Sequence, residues 1–123
     1  MDDCRSPIET DDAMPRLFVR CVGDREPELV QYIEHGIEEE GVPWVVQHGY
    51  DGDGVSVAYD ASVTSSLKIG IGVAPDSRVV VHHKQLPDDD PVFDRSDVTA
   101  KTARALGSNS ARLVKGTPLK PLE

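Results

Sequence analysis

Short apolar runs alternate with segments of helical periodicity along this chain, and the alternation predicts a series of strands and helices. Runs rich in branched aliphatic residues and bounded by Gly, Pro or Asp are typical of buried strands. On this basis we predict four strands, at residues 17–22, 43–47, 67–73 and 78–83. The third and fourth are joined by a tight Ala-Pro-Asp-Ser turn, a linker length that indicates an antiparallel hairpin.

Helices are predicted between and after the strands. In the first, over residues 26–40, Val30, Ile33 and Ile37 recur at the spacing of one helix face. A second, less regular helix is predicted over residues 54–66. Near the C-terminus we predict two short helices separated by a break. Their boundaries are a cap at Ser96 or Asp97, an end near Leu106, a break at Gly107 and Ser108, and a further helical turn or two over residues 109–115.

This order of elements predicts an α/β fold. We expect a single small domain over residues 16–123, with a mostly parallel four-stranded sheet that contains one antiparallel strand and is flanked by helices. A chain of 123 residues is about the size of one domain. Residues 1–15 are polar and acidic without periodicity, and we expect them to form a disordered leader.

The composition favours a cytoplasmic protein that binds neither nucleic acid nor membranes. The chain has 22 acidic and 13 basic residues and a net charge of −9, whereas nucleic-acid binding depends on Lys and Arg neutralising phosphates. No apolar run approaches the roughly 20 residues of a membrane-spanning helix, and the N-terminus begins with acidic residues where a secretory signal would be basic. Cys4 and Cys21 lack disulfide or zinc spacing, so we expect two unpaired thiols.

Several candidate motifs have simple interpretations. Residues 69–73, Ile-Gly-Ile-Gly-Val, lack the third glycine and following helix of a dinucleotide-binding loop, so we interpret the glycines as sites of close packing in a strand. His82 and His83 are strand neighbours and point to opposite faces. No Ser-His-Asp or Cys-His arrangement indicates catalysis. Two aspartate groups are interpreted as solvated loops, at residues 51–53 and 88–90.

A run of three glutamates, residues 38–40, stands in the last turn of the first predicted helix. Carboxylates there oppose the helix dipole, at a cost of about 0.3–1 kcal/mol each. On a helical wheel Glu39 lies about 200° from the apolar Ile37, and Glu28 and His35 fall on the same outward stripe. The stripe is either an ordinary solvated helix end or a surface that meets a basic or metal-bearing partner.

Three segments carry a family resemblance. They are Gly-Ile-Glu-Glu-Glu-Gly-Val-Pro at 36–43 followed by Gln47-His48, the stretch 69–87, and Gly-Ser-Asn-Ser-Ala-Arg-Leu-Val-Lys-Gly-Thr-Pro at 107–118. Together they resemble the small subunit of diol and glycerol dehydratase reactivases. The family usually has asparagine and alanine where Ser108 and Ser110 stand, and tyrosine where His83 stands.

The resemblance implies a chaperone-like subunit and not an enzyme. In the family the small subunit is a small α/β protein that pairs with a large ATPase subunit, which carries the ADP or ATP and the magnesium. The complex releases damaged cobalamin from inactivated dehydratase. The small subunit resembles the medium subunit of the dehydratase and is thought to exchange places with it, contacting the dehydratase large subunit transiently.

The resemblance also implies site residues, none of them catalytic. A glutamate of the acidic run helps to ligate a magnesium near the partner's nucleotide, and the matching position is Glu39. The residues that we expect to bind the partner are Glu28, His35, Glu38, Glu39, Arg112 and Lys115.

Two other functions stay open at this point. One is the medium subunit or an accessory component of the dehydratase itself, although that subunit is longer in the family. The other is an unrelated small α/β enzyme or ligand-binding protein. Glycerol and propanediol dehydratases are both open as the enzyme served, and an isolated chain could self-associate through the surface meant for its partner.

Overall fold

The computed structural model describes residues 15–122. Apart from its last residue, the expected leader at 1–15 lies outside the described residues, so its disorder stays a prediction. The described part forms five strands and three helices. In chain order these are β1 (Leu17–Val22), α1 (Leu29–Glu39), β2 (Trp44–Tyr50), α2 (Gly54–Thr64), β3 (Ile69–Val73), β4 (Val79–His83), β5 (Phe93–Arg95) and α3 (Ala100–Lys115).

The strands form one mixed sheet in the order β2-β1-β3-β4-β5. Strand β1 pairs in parallel with β2 on one side and with β3 on the other. The pairs β3–β4 and β4–β5 are antiparallel. The predicted α/β fold and the predicted hairpin between β3 and β4 are therefore confirmed.

The sheet has five strands where the sequence predicts four. Strand β5 is only three residues long and its sequence, Phe-Asp-Arg, contains no apolar run that would indicate a strand. It is held against β4 by the backbone, where Val92 N donates to Val81 O at 2.9 Å. Arg78 adds a bidentate ion pair, donating to the two carboxylate oxygens of Asp94 at 2.9 and 2.7 Å.

Helix α3 is continuous, so the predicted break at Gly107 and Ser108 is wrong. Gly107 lies against the backbone of α1, where a Cβ would overlap the carbonyl oxygen of Ile33. Gly36 of α1 is the reciprocal case, since a Cβ there would overlap the carbonyl oxygen of Arg104. The two glycines allow close approach of the helices without interrupting either one.

Local backbone conformation shifts the ends of two elements. Helix α3 begins after Thr99, whose hydroxyl oxygen accepts a hydrogen bond from the backbone N–H of Thr102 at 3.3 Å. Ser96 and Asp97 are not the cap, and Asp97 has a left-handed φ of 52°. Strand β3 begins only at Ile69, because the preceding residue also has a positive φ. Among the described helices, none has the length and apolar character needed to span a membrane.

Helices cover both faces of the sheet. Alternate residues of a strand point to opposite faces. On one face, Val19 of β1 is buried in a cluster with Ile33 of α1 and Leu106 of α3. On the other face, Gly70 and Gly72 of β3 lie so close to α2 that a Cβ on either would collide with the helix backbone. The interpretation of these glycines as sites of close packing is thus confirmed.

Candidate functional site

The acidic run lies where α1 meets α3 and the C-terminal tail. Helix α1 ends at Glu39, Glu40 is its C-cap, and Gly41 follows with a left-handed φ of 74°. Glu38 and Glu39 are exposed, whereas the Glu40 side chain is only 11% exposed. Three consecutive carboxylates therefore have different environments.

Glu40 binds three side chains of α3. Its Oε2 accepts hydrogen bonds from Ser108 Oγ at 2.7 Å and from Arg112 Nε at 3.0 Å. Its Oε1 accepts from Lys115 Nζ at 2.9 Å. The three α3 residues are spaced i, i+4 and i+7, so they share one face of the helix. We refer to Glu40, Ser108, Arg112 and Lys115 as the Glu40 cluster.

The cluster keeps Glu40 ionised. Hydrogen bonds from Lys115, Ser108 and Arg112, in decreasing order of effect, lower the pKa of the Glu40 carboxyl from 4.5 to about 2. Lys115 Nζ also donates to the backbone carbonyl oxygen of Glu40 at 3.0 Å, which satisfies an acceptor left open at the end of α1. Two cations of α3 thus offset a carboxylate that opposes the dipole of its own helix.

The C-terminal tail folds back onto α3. Asn109 is fully buried and pairs with the backbone of Lys120. Its Nδ2 donates to Lys120 O at 3.0 Å and its Oδ1 accepts from Lys120 N at 2.6 Å. Arg112 Nη1 donates to Pro118 O at 2.9 Å. The tail is therefore part of the same junction as the acidic run.

Glu39 bridges the three parts of the junction from the solvent side. Its Oε2 accepts from Arg104 Nη2 of α3, and its Oε1 lies 3.6 Å from Lys120 Nζ of the tail. The Glu39 side chain is 33% exposed, so its carboxylate is accessible from outside. Any external cation at this carboxylate would compete with Arg104 and Lys120.

The predicted partner-binding residues fall into two groups. Glu28, His35 and Glu38 are exposed, along α1 or just before it. Arg112 and Lys115 instead bind Glu40, so their charges are paired within the chain. Glu39 has the features of both groups, because its side chain is exposed and is also paired with Arg104 and Lys120. The role of all six in binding a partner stays a prediction.

The position of Glu40 at the centre of a cluster was not predicted from the sequence, and neither were the contacts of Arg104, Asn109 and Lys120. The sequence spacing of the polar residues of α3 could have indicated the cluster, because a single helix continued through Gly107 places several of them on one face. These are residues 104, 108, 112 and 115. The predicted break at Gly107 hid that face.

The other candidate ligands have roles within the fold. His82 is fully buried, and its ring nitrogens lie 3.0 Å from His83 O and 3.2 Å from Asp88 O. Asp53 caps α2 by accepting from Ser56 N at 3.0 Å. Across residues 15–122, no group of three or more His, Cys, Asp or Glu side chains is arranged to hold a metal ion.

Sequence comparisons point to one family of proteins. The profile described as dehydratase medium subunit matches residues 14–120. The chain is 35% identical over 116 residues to the propanediol dehydratase-reactivating factor small subunit of Salmonella typhimurium. The matched residues make up 94% of this chain and 98% of that protein. It is 41% identical over 88 residues to the diol dehydratase-reactivating factor small subunit of Klebsiella michiganensis, which covers 71% of this chain and 70% of that protein.

Two solved structures share the fold. A chain of the diol dehydratase-reactivating factor complexed with ADP and Mg²⁺ matches with a TM-score of 0.80 at 35% identity, over 87% of this chain and 98% of that one. A glycerol dehydratase reactivase chain matches with a TM-score of 0.73 at 29% identity, over 88% of this chain and 97% of that one. The likeness therefore extends over the whole domain and not over one motif.

Proposed function

The chain belongs to the family of dehydratase medium subunits, and we propose that it is the small subunit of a reactivating factor that serves a diol or glycerol dehydratase. One observation carries the proposal. The match covers 98% of the Salmonella small subunit and 98% of a chain in the solved reactivating factor. A match to the full length of these proteins favours a role equivalent to theirs.

In this role the chain works in a complex with a large subunit that holds the nucleotide and hydrolyses ATP. The similar reactivating factor was solved with ADP and Mg²⁺, which supports a nucleotide-dependent complex. The small subunit itself provides binding surface and no catalytic residue. Its contribution is to change which subunits associate with the damaged dehydratase.

The proposed action is an exchange of subunits. The chain fits the profile of dehydratase medium subunits, while the relatives described above are reactivating-factor small subunits. A shared fold is what a small subunit needs if it is to replace the medium subunit and open the cobalamin site. Exchange requires the two complexes to be nearly equal in free energy, because every ~1.4 kcal/mol changes the equilibrium tenfold. Nucleotide on the large subunit then decides the direction.

Glu39 is the residue proposed to respond to the metal of that nucleotide. It offers one accessible carboxylate, and Mg²⁺ is commonly held by one or two carboxylates together with substrate phosphates. The described residues form no complete metal site, so the remaining ligands would belong to the large subunit and the nucleotide. The chain therefore fits a magnesium ion shared across an interface. Glu28, His35 and Glu38 extend the same accessible side of α1.

A second function is favoured by the match to the dehydratase medium-subunit family. As a medium subunit or accessory component of the dehydratase, the chain would bind dehydratase subunits stably and independently of any ATPase. The two functions therefore differ in their preferred partner and in their dependence on nucleotide.

Reconstitution with purified partners tests the proposal. The chain is titrated with the large reactivase subunit of the same host in Mg²⁺ with ADP or ATP, and then both are added to inactivated dehydratase. We expect the affinity for the large subunit to depend on the nucleotide. We expect cobalamin to be released only when both subunits are present, and the absorbance of cobalamin in the filtrate measures this release. Stable binding to dehydratase subunits without affinity for the large subunit would establish the second function instead.

A further inference from the structure

Arg20 is a nearly buried cation in the middle of β1. In register it stands between Gln47 of β2 and Gly72 of β3, and it is only 8% exposed. Its Nε donates to Gln47 Oε1 at 2.9 Å. Its guanidinium carbon lies 4.6 Å from the ring centre of Tyr50 and 5.3 Å from that of Phe18. The head group is thus held between two aromatic rings.

The two terminal nitrogens of Arg20 have no hydrogen-bond acceptor among the described residues. No ion pair of the described chain includes Arg20, and its one acceptor, Gln47 Oε1, is neutral and also accepts from Tyr50 Oη at 3.2 Å. Buried charged groups are normally paired, because an unpaired charge removed from water costs several kcal/mol. A buried guanidinium with open donors therefore indicates an acceptor that comes from outside the described chain.

The surface around Arg20 is accessible to another molecule. Helix α2 lies directly over Gly72 on one side of Arg20. On the other side β2 is the edge strand of the sheet, and Phe18, Val45 and Tyr50 keep part of their area exposed. We define the Arg20 patch as Phe18, Arg20, Val45, Gln47 and Tyr50.

We propose that the Arg20 patch is a contact surface for the large subunit, and that Arg20 binds the carboxylate of an acidic side chain of that subunit; this rests on the function proposed above. The planar fork of arginine matches a carboxylate in a bidentate arrangement. Arginine and tyrosine surrounded by apolar groups are also the typical composition of residues that dominate the affinity of interfaces. A polyanion such as a nucleic acid is disfavoured by the net charge of −9.

An arginine that binds a partner affects the affinity of the complex more than the stability of its own domain, whereas a purely structural arginine affects both together. In the isolated chain Arg20 has no anionic partner. Arg20→Met keeps an unbranched apolar side chain, and the loss of the contacts with Gln47, Phe18 and Tyr50 is offset by removal of an unpaired buried charge, so the melting temperature should change by only a few degrees. In the complex the same change leaves the partner's carboxylate unpaired and lowers affinity. Arg20→Lys keeps the charge but loses the fork, so it should fall between wild type and Arg20→Met.

The experiment measures the dissociation constant of each variant for the purified large subunit in Mg²⁺ and ADP, together with its melting temperature. We expect Arg20→Met to weaken binding about tenfold or more while the melting temperature changes by only a few degrees. The matched control is Arg95→Gln, since Arg95 is exposed on the opposite edge strand. It removes the same charge and should change affinity by about twofold at most.

Three results would overturn the inference. Equal affinities of wild type and Arg20→Met would show that Arg20 is outside the interface, while leaving the proposed function intact. An Arg20→Met variant that is largely unfolded under the conditions of the binding measurement would show that Arg20 supports its own domain. Failure of the wild-type chain to bind the large subunit would overturn the proposed function and, with it, the assignment of Arg20.

Discussion

Lys115 Nζ donates to Glu40 twice, to the backbone carbonyl oxygen at 3.0 Å and to Oε1 at 2.9 Å. The first bond satisfies an acceptor at the end of α1 and the second pairs with the last carboxylate of the acidic run. Because Lys115 is the last residue of α3, one side chain ties the ends of two helices together. The stability of this junction depends on the ionisation of Glu40.

We expect the domain to lose stability in acid through this junction. The pKa of Glu40 is about 2 in the folded chain and 4.5 ordinarily, so the unfolded chain binds the proton more readily. The contribution of Glu40 is therefore complete above about pH 4.5 and is lost as the pH falls towards about 2. Asp94, whose pKa is lowered by its hydrogen bonds from Arg78, acts in the same direction. Urea unfolding at a series of pH values measures the loss.

Glu40→Gln isolates the contribution of this carboxylate. The variant keeps the shape of the side chain but removes the charge, so it should melt several degrees below wild type at neutral pH and lose less stability in acid. Glu38→Gln is the matched control, because Glu38 is an exposed member of the same run. If the free energy of unfolding fell with pH in parallel for wild type and Glu40→Gln, the loss of stability in acid would not come from Glu40.

Alanine at Gly107 should destabilise the domain, against the trend set by helix propensity. In an open helix, glycine to alanine gains about 1 kcal/mol. At Gly107 the new Cβ overlaps the carbonyl oxygen of Ile33, and a backbone atom cannot rotate aside as a side chain can. Separating α1 from α3 should cost about 1–3 kcal/mol. The midpoint of urea unfolding measures the change.

Gly36→Ala should behave like Gly107→Ala, because its Cβ meets the backbone of α3 at Arg104. Gln31→Ala, at an exposed site of α1, serves as the control and should stay within about 0.5 kcal/mol of wild type. A more stable Gly107→Ala variant would mean that the two helices are farther apart than the structure places them.

Local patterns were sufficient to predict most of the fold. The branched aliphatic runs of β1, β3 and β4 and the turn between the last two depend on neighbours in sequence, and they were predicted correctly. Strand β5 depends on pairing with β4 and on the Arg78–Asp94 ion pair, which no local pattern contains. At Gly107 a correct local rule, that glycine weakens a helix, was overridden by contact with α1.

The candidate site was only partly predictable for the same reason. The acidic run was visible in the sequence, and so was the outward position of Glu39. Its partner Arg104 is 65 residues away and is brought near by the packing of α1 on α3. The strong pairing of Glu40 depends on that packing too, and adjacent glutamates look alike in sequence.

Cys21 should react slowly with thiol reagents in the folded chain. Burial, followed by the nearby carboxylates of Glu26 and Glu34, raises the pKa of its thiol to about 11. The reactive thiolate is therefore scarce at neutral pH. In a Cys4→Ser variant, where Cys21 is the remaining cysteine, labelling by a disulfide reagent should become fast only as urea unfolds the domain. Fast labelling without urea would contradict the burial of β1.

The ion pairs of Glu39 should set how readily it binds magnesium at the proposed interface. A metal ion at this carboxylate competes with Lys120 Nζ, which lies 3.6 Å from Glu39 Oε1. Lys120→Gln removes that competitor and keeps the two backbone bonds to Asn109. We expect the Mg²⁺ concentration for half-maximal association with the large subunit to fall about two- to fivefold, as suits a partly exposed pair.

Glu39→Gln should act in the opposite sense and remove the dependence of association on Mg²⁺, because the ligand itself is lost. Lys84→Gln provides the control for Lys120→Gln, since Lys84 is exposed and lies in the turn after β4, so the change in net charge is the same. If both lysine variants shift the Mg²⁺ dependence equally, net charge is responsible and the Glu39–Lys120 pair is not. If only Lys120→Gln shifts the Mg²⁺ dependence, and the shift disappears when Glu39→Gln is combined with it, the Glu39–Lys120 ion pair is what limits Mg²⁺ binding by Glu39 before the large subunit binds.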